Sequence, residues 1–204
     1  MGRRSDHSRD EIKAMAIEAA SKIVESEGFE SLTARKVASK IGYTVGTLYH
    51  VFRNFDDLVI HLNARTIDEM AELIQKSVRR KRSPESRIRT MTEVYVDYAT
   101  EHPDRWRLVF EHQAPRGLPT PELMKVRRDV LFEMVAENLR ELSPRHVKQE
   151  IDHTATALWS GVHGICILAL TGKLYLGGAF SMGKLIDTLL ESVLNEFRSN
   201  QIAD

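Results

Sequence analysis

Between Thr33 and Arg53 the chain carries two short apolar stripes at helical spacing with a glycine between them. Val37, Ala38 and Ile41 recur at i, i+1 and i+4, and Leu48, Val51 and Phe52 recur at i, i+3 and i+4. Thr33 and Thr44 stand ahead of the two stripes, where a hydroxyl can accept a bond from an orphan backbone N–H. Gly42 stops the first stripe at a point where the backbone must turn left-handed. The spacing predicts a helix, a tight turn and a second helix whose apolar back rests on the first. Thr44, Val45, Gly46, Thr47, Tyr49 and His50 are then left with a face for a ligand.

The charge in this window is as uneven as its hydropathy. It holds Arg35, Lys36, Lys40 and Arg53 but no Asp or Glu, while Glu25, Glu27 and Glu30 precede it and Asp56 and Asp57 follow. The whole chain balances 29 basic against 29 acidic residues, so the basic character is local. A basic surface meets a polyanion because each neutralised phosphate releases counterions. A solvated face that merely lacks carboxylates would have the same composition, and the helix-turn-helix spacing decides between the two. In such a motif the second helix enters the major groove. Small and hydroxyl-bearing residues at its start permit close approach to bases and phosphates. Thr44, Val45 and Thr47 are expected at bases, with Gly46 on the same face. Thr33, Lys36, Tyr49, His50 and Arg53 are expected at phosphates.

The run from Leu32 to Leu58, LTARKVASKIGYTVGTLYHVFRNFDDL, resembles the N-terminal DNA-binding domain of TetR-family transcriptional regulators. The matching elements are Leu32-Thr33, Val37-Ala38, Ile41-Gly42, Gly46-Thr47-Leu48-Tyr49, Phe52, and Leu58 after an acidic pair. The resemblance extends back over the first helix. It implies an all-α homodimer of about nine helices, in which a three-helix DNA-binding head at 1–54 precedes a larger effector-binding and dimerising body at 55–204. It further implies a regulator acting on a palindromic operator, usually a repressor; an activator uses the same head. Two positions depart from the family. Phe55 stands where many members have a lysine on the DNA backbone, and Val51 stands where a polar or aromatic residue is common. Phe55 and the neutral net charge are what favour the alternative of a helical ligand- or protein-binding bundle without DNA function.

The rest of the sequence fits an all-helical reading. Only six Pro and eleven Gly interrupt 204 residues, and no sustained alternation marks a strand. Ser8-Arg9-Asp10-Glu11 reads as a capping box for a helix over 8–27, with Ile12, Ala16, Ala19 and Ile23 inward. Asn54 caps a long helix over 55–80 with a stripe of Leu58, Leu62, Ile67, Met70, Leu73, Ile74 and Val78. The Arg79-Arg80-Lys81-Arg82 cluster suits that helix's C-terminus, or else a second nucleic-acid patch. Ser83-Pro84 opens the next helix, with Ile88, Met91, Val94, Tyr95 and Tyr98 inward. His102-Pro103 opens a short one bearing Trp106, Val109 and Phe110. The proline-rich stretch 114–121 is a loop. Helices over 121–142 and 144–175 follow, and a last one starts near Ser181 with Leu185, Leu189, Val193 and Phe197 inward, after Gly177 and Gly178. Arg3 and Arg4 lie in an N-terminal arm that either reaches DNA or is a solvated tail.

Trp159-Ser160-Gly161-Val162-His163-Gly164 resembles the Trp…His-Gly signature of one C-terminal subclass of the family. Trp159 and His163 share a helix face. With Met91, Tyr95, Tyr98, Trp106, Phe110, Leu131 and Val135 they would line an apolar cavity with few polar handles, as a small apolar effector requires. Plain core packing explains the same spacing. Ile165, Leu185, Leu189 and Val193 are the candidate dimer contacts.

Other chemistries find little support. His146, Glu150 and His153 share a helix face, but a solvated charged surface has the same pattern as that possible metal site. There is no HExxH, CxxC or glycine-rich phosphate loop, so neither an enzyme, a metal site nor a cofactor is expected. Cys166 lies between Ile165 and Ile167, an apolar setting that quiets a thiol, and a lone cysteine suits a reducing cytosol. The charged N-terminus lacks an apolar signal core. Residues 154–172 carry no charge, yet His163, three Gly and four Ser or Thr argue for a buried helix over a membrane span.

Overall fold

The computed structural model describes residues 7–112, 121–174 and 181–199. These residues form helices and turns, with no strand among them. In chain order the helices are α1 (Arg9–Glu27), α2 (Ala34–Lys40), α3 (Val45–Val51), α4 (Phe55–Val78), α5 (Pro84–Glu101), α6 (Pro103–Glu111), α7 (Glu122–Leu142), α8 (Lys148–Leu170) and α9 (Met182–Ser199). The expected loop at 114–121, apart from Pro121, lies outside the described residues, as do Arg3, Arg4, Gly177 and Gly178.

Local chemistry sets most of the helix starts. Ser8 and Glu11 form a complete capping box, with Ser8 Oγ accepting from Glu11 N and Glu11 accepting from Ser8 N. Thr33 and Thr44 each accept a bond from the backbone N–H three residues on, at 3.2 Å. Asn54 does the same for Asp57, Ser83 for Ser86 and Ser181 for Lys184. Each such cap stabilises its helix by about 1 kcal/mol. Helices α2 and α8 close alike, through a glycine with positive φ. Gly42 has φ 75° and lets Tyr43 N donate to Ala38 O; Gly172 has φ 67° and lets Lys173 N donate to Leu168 O. Both bonds span six residues, the Schellman closure that satisfies orphan carbonyls.

The chain forms two compact units. The first comprises residues up to Asp68 together with His102–Arg127. Its core gathers Ala16, Ala20, Ile23 and Val24 of α1, Val37 and Ala38 of α2, Leu48 of α3, Phe52, and Leu58, Val59 and Leu62 of α4. Leu108 of α6 joins this core, and α6 packs on α1. Arg105, 5% exposed, donates to Glu25 of α1 and to Thr66 of α4. Asn63 of α4 donates to Leu108 O. A buried guanidinium costs stability unless its donors are engaged, and here α1 and α4 both supply acceptors.

The second unit comprises Glu69–Glu101 and the residues from Arg128 on. Helix α8 packs against α5 and α9. Its buried residues are Ile151, Ala155, Leu158, Val162 and Cys166, facing Ile186, Leu190, Leu194 and Phe197 of α9 and Ile88, Met91 and Tyr95 of α5. Gly161 marks a close approach in the α8–α9 seam, since a Cβ there would stand 2.6 Å from Leu189 Cδ2. Helix α8 is long and apolar enough to cross a membrane by length and composition alone, and 22% of that window is buried among the described residues.

Several sequence expectations are corrected. Helix α8 starts at Lys148, not 144, because residues 143–147 form a turn in which Glu150 accepts from Val147 N at 3.0 Å; it ends at Leu170, not 175, at the Gly172 closure. Helix α4 ends at Val78, and α3 at Val51. Leu73 leaves the predicted stripe and is 44% exposed. On α9 the buried stripe is shifted by one residue, so Leu185, Leu189 and Val193 are only half-buried. Val94, Val109 and Phe110 are likewise half-buried.

Candidate nucleic-acid interface and ligand-binding body

Helices α2 and α3 have seven residues each, and both start on a threonine cap with no acidic residue in the first turn. Leu48, 1% exposed, pins α3 to the core, and Val45 and Val51 pack against its edge. The opposite face is open. Thr44, Gly46, Tyr49 and His50 are exposed, Tyr49 to 48%, and Thr47 is half-exposed. Thr33, Lys36 and Arg53 are exposed as well. All nine residues expected at DNA therefore lie on α2, on α3 or at their ends, and Val45 alone among them touches the core.

The polar groups of this face are already partly engaged. Thr44 Oγ1 caps α3 and lies 3.0 Å from Thr47 Oγ1. Lys36 Nζ meets Glu27 at 2.6 Å, and the ammonium holds the Glu27 carboxyl below its usual range. Arg53 N donates to Asp57 Oδ2 at 3.0 Å. Gly46 has a negative φ, and an added Cβ would meet only Thr44 Oγ1 at 3.6 Å, an ordinary contact. Nothing in the chain's own packing requires a glycine there, which fits close approach by something outside the chain. Phe55 packs against the core's edge at the start of α4. The departure from lysine thus removes a cation and adds apolar contact.

In the second unit three of the expected effector residues come together with one that was not foreseen. Tyr95 Oη lies 2.8 Å from His163 Nδ1. The His163 ring stacks on Trp159, with centroids 5.2 Å apart, and Trp159 meets the edge of Phe132 at 5.5 Å. Burial holds the His163 imidazole below its ordinary pKa, so the ring is neutral near pH 7. Tyr98 Oη donates to Glu69 at 3.3 Å, and Met91 is also buried on α5. Phe132 was missed because Leu131 and Val135 looked equally apolar, and both are half-buried. The spacing 132, 136, 139, which continues the buried Ala136 and Leu139, carries the signal. Trp106 and Phe110 belong to the first unit, where they pair ring to ring at 5.1 Å.

Of the proposed dimer residues, Ile165, Leu185, Leu189 and Val193 are all half-buried, and Leu168 on α8 is 42% exposed. Cys166 is fully buried, and burial pushes its thiol up to about 11. His146 Nδ1 meets Glu150 at 2.9 Å and Nε2 meets Phe197 O at 2.8 Å, with the ring stacked on Phe197. No cluster of three metal-ligating side chains occurs among the described residues.

Residues 16–62 match bacterial regulatory proteins of the tetR family, and residues 88–193 match the tetracyclin repressor-like C-terminal domain. An uncharacterized HTH-type transcriptional regulator of Mycobacterium tuberculosis, Rv0681, is 26% identical over 157 residues, which are 76% of this chain and 69% of that protein. The HTH-type transcriptional activator FasR of Mycolicibacterium smegmatis is 23% identical over 134 residues, 64% of this chain and 61% of FasR. Among solved structures, the putative regulatory protein SCO4313 superposes with a TM-score of 0.72 at 18% identity, covering 92% of this chain and 97% of that one. RolR in complex with resorcinol gives 0.67 at 14% identity, covering 96% and 95%.

Proposed function

This chain belongs to the TetR family of bacterial transcriptional regulators, and on that premise we propose that it is a ligand-responsive repressor acting as a homodimer on a palindromic operator. Residues 1–54 serve DNA and residues 55–204 serve effector binding and dimerisation. The observation that carries the reading is the open face of α3. Thr44, Val45 and Thr47 read bases, Gly46 lets the backbone approach them, and Thr33, Lys36, Tyr49, His50 and Arg53 hold phosphates. Lys36 exchanges Glu27 for a phosphate as it binds.

The effector is small and mostly apolar, with a ring that packs on Trp159 and Phe132 and a hydroxyl or carbonyl that reaches the Tyr95–His163 pair. The phenolic ligand named with RolR is of this chemical kind. By binding one conformation of the body better, the effector changes the population competent for the operator. Helix α4 is the coupling element. The half-exposed Ile165, Leu185, Leu189 and Val193, with Leu168, meet the same residues of a second chain, which supplies the cover that α8 lacks. The action on DNA places the protein in the cytoplasm. Activation rather than repression is the second reading, and the activator FasR is what favours it.

The test is the salt dependence of binding to the DNA upstream of the protein's own gene, against a scrambled duplex. Preferential binding with a steep negative slope of log K on log salt supports the reading. Equal weak binding to both, together with no site recovered from genomic DNA, contradicts it. Transcription from that promoter with and without the protein separates repression from activation.

A further inference from the structure

Resting on the reading of α3 as the helix that enters the groove, we infer that the start of α1 is a second DNA-contact element, in which the His7–Tyr43 pair and Arg9 bind backbone phosphates flanking that helix. Three observations place it there. Tyr43 lies between Gly42, where α2 closes, and Thr44, which caps α3. Its hydroxyl stands 2.8 Å from His7 Nδ1, and the two rings meet edge to face at 6.2 Å. Arg9 reaches the other end of the same helix, its Nη2 3.5 Å from Val51 O. Side chains two residues apart thus reach both ends of α3.

A recognition helix contacts bases with its N-terminal residues, so whatever touches the residue before its cap stands at the rim of the groove. There the nearest polyanion is the sugar–phosphate backbone. His7 and Arg9 are exposed and Tyr43 is half-exposed. The Ser8–Glu11 capping box fixes the first turn of α1, which carries Arg9, and His7 just ahead of it is tied to Tyr43. That box also turns the nearby Glu11 carboxylate onto Ser8, whose bonds lower its pKa more than the charge of His7 does. Asp10 is the remaining exposed acid of this turn. Tyr43 orients the imidazole, and the pair acts as one contact. Arg9 contributes a guanidinium whose planar fork suits a phosphate.

The experiment uses the full-length protein and a duplex that it selects from a random-sequence pool, with a scrambled duplex alongside. Arg9→Gln should reduce the slope of log K on log salt by about 1. His7→Gln and Tyr43→Phe should each weaken binding about 3- to 10-fold, as for loss of one hydrogen bond, and the double variant should lose no more than either single one. The losses should be alike on both duplexes, with thermal melting unchanged. Wild-type slope and affinity in Arg9→Gln and His7→Gln would overturn the inference. Tyr49→Ala separates that failure from failure of the underlying reading. If it alone weakens binding, α3 meets DNA without help from α1; if it too is silent, α3 is not the DNA-binding helix.

Discussion

Gly46 and Gly161 both lie inside helices with ordinary backbone angles, and they are glycines for opposite reasons. At Gly161 the absent side chain is filled from within, by Leu189 of α9. At Gly46 nothing among the described residues comes closer than an ordinary contact. The two regions differ in the same way throughout. The α8–α9 seam is defined by its own packing, whereas the α2–α3 face is held by a core on one side and left open on the other. A residue of the seam is constrained by its fold, and an exposed residue of the α3 face by what approaches it.

The comparison can be broken at several points. Phe52→Ala should have the largest effect. Phe52 is 2% exposed at the end of α3, and truncating a buried Phe costs about 3–5 kcal/mol. Urea unfolding should show that loss, with DNA binding abolished as the head melts; a loss under about 1 kcal/mol would mean the core of the first unit is not built around it. Gly161→Val comes next. It overpacks the seam by an amount worth about 1–3 kcal/mol, and sedimentation should show a weakened dimer. A variant as stable as the wild type would show that Leu189 moves aside freely.

Gly46→Ala should behave in the reverse way. A glycine in a helix costs roughly 0.5–1 kcal/mol relative to alanine, so melting should be unchanged or higher. DNA affinity should nevertheless fall about tenfold or more, the effect of a methyl group at a closely approached surface, equivalent to about 1.4 kcal/mol. Unchanged affinity would deprive the open α3 face of its explanation.

The smallest effect concerns the seam's far end. Both nitrogens of His146 face acceptors, the Glu150 carboxylate and the Phe197 carbonyl, and only the charged ring donates to both. These bonds, the Phe197 carbonyl first, raise its pKa above the ordinary value. The stabilisation is therefore fully present below the unfolded-state value of about 6.5 and is lost as pH rises through the higher folded-state value. The melting temperature of the wild type should exceed that of His146→Gln most below the ordinary histidine value of about 6.5, with the gap closing as pH rises above it. A gap that widens with pH would reverse the assignment.

What was legible in the sequence was local. Ser8 with Glu11, Thr33, Thr44, Asn54 and Gly42 act on backbone within a few residues, so their caps and closures could be read directly. The open side of α3 could be read as well, because two seven-residue helices and the glycine between them determine which face packs on the core. The body was less legible. Helix α9 is apolar at both 185/189/193 and 186/190/194, and only the position of α8 shows which stripe is buried. Pro144 read as a helix start, but Glu150 caps Val147 and delays it. The link from Arg105 to Glu25 joins residues 80 apart and leaves no periodic trace. Phe132 shares the 132, 136, 139 stripe of α7, but the spacing does not reveal that its ring partner is Trp159 on another helix.

On the proposed function, α3 reads DNA through its first turn and grips it through Tyr49. The most direct test is selection from a random-sequence duplex pool by the wild type, Thr47→Ala and Tyr49→Ala. The account predicts an altered consensus for Thr47→Ala, and for Tyr49→Ala the wild-type consensus bound more weakly at every sequence. One consensus shared by all three, at equal affinity, would contradict it.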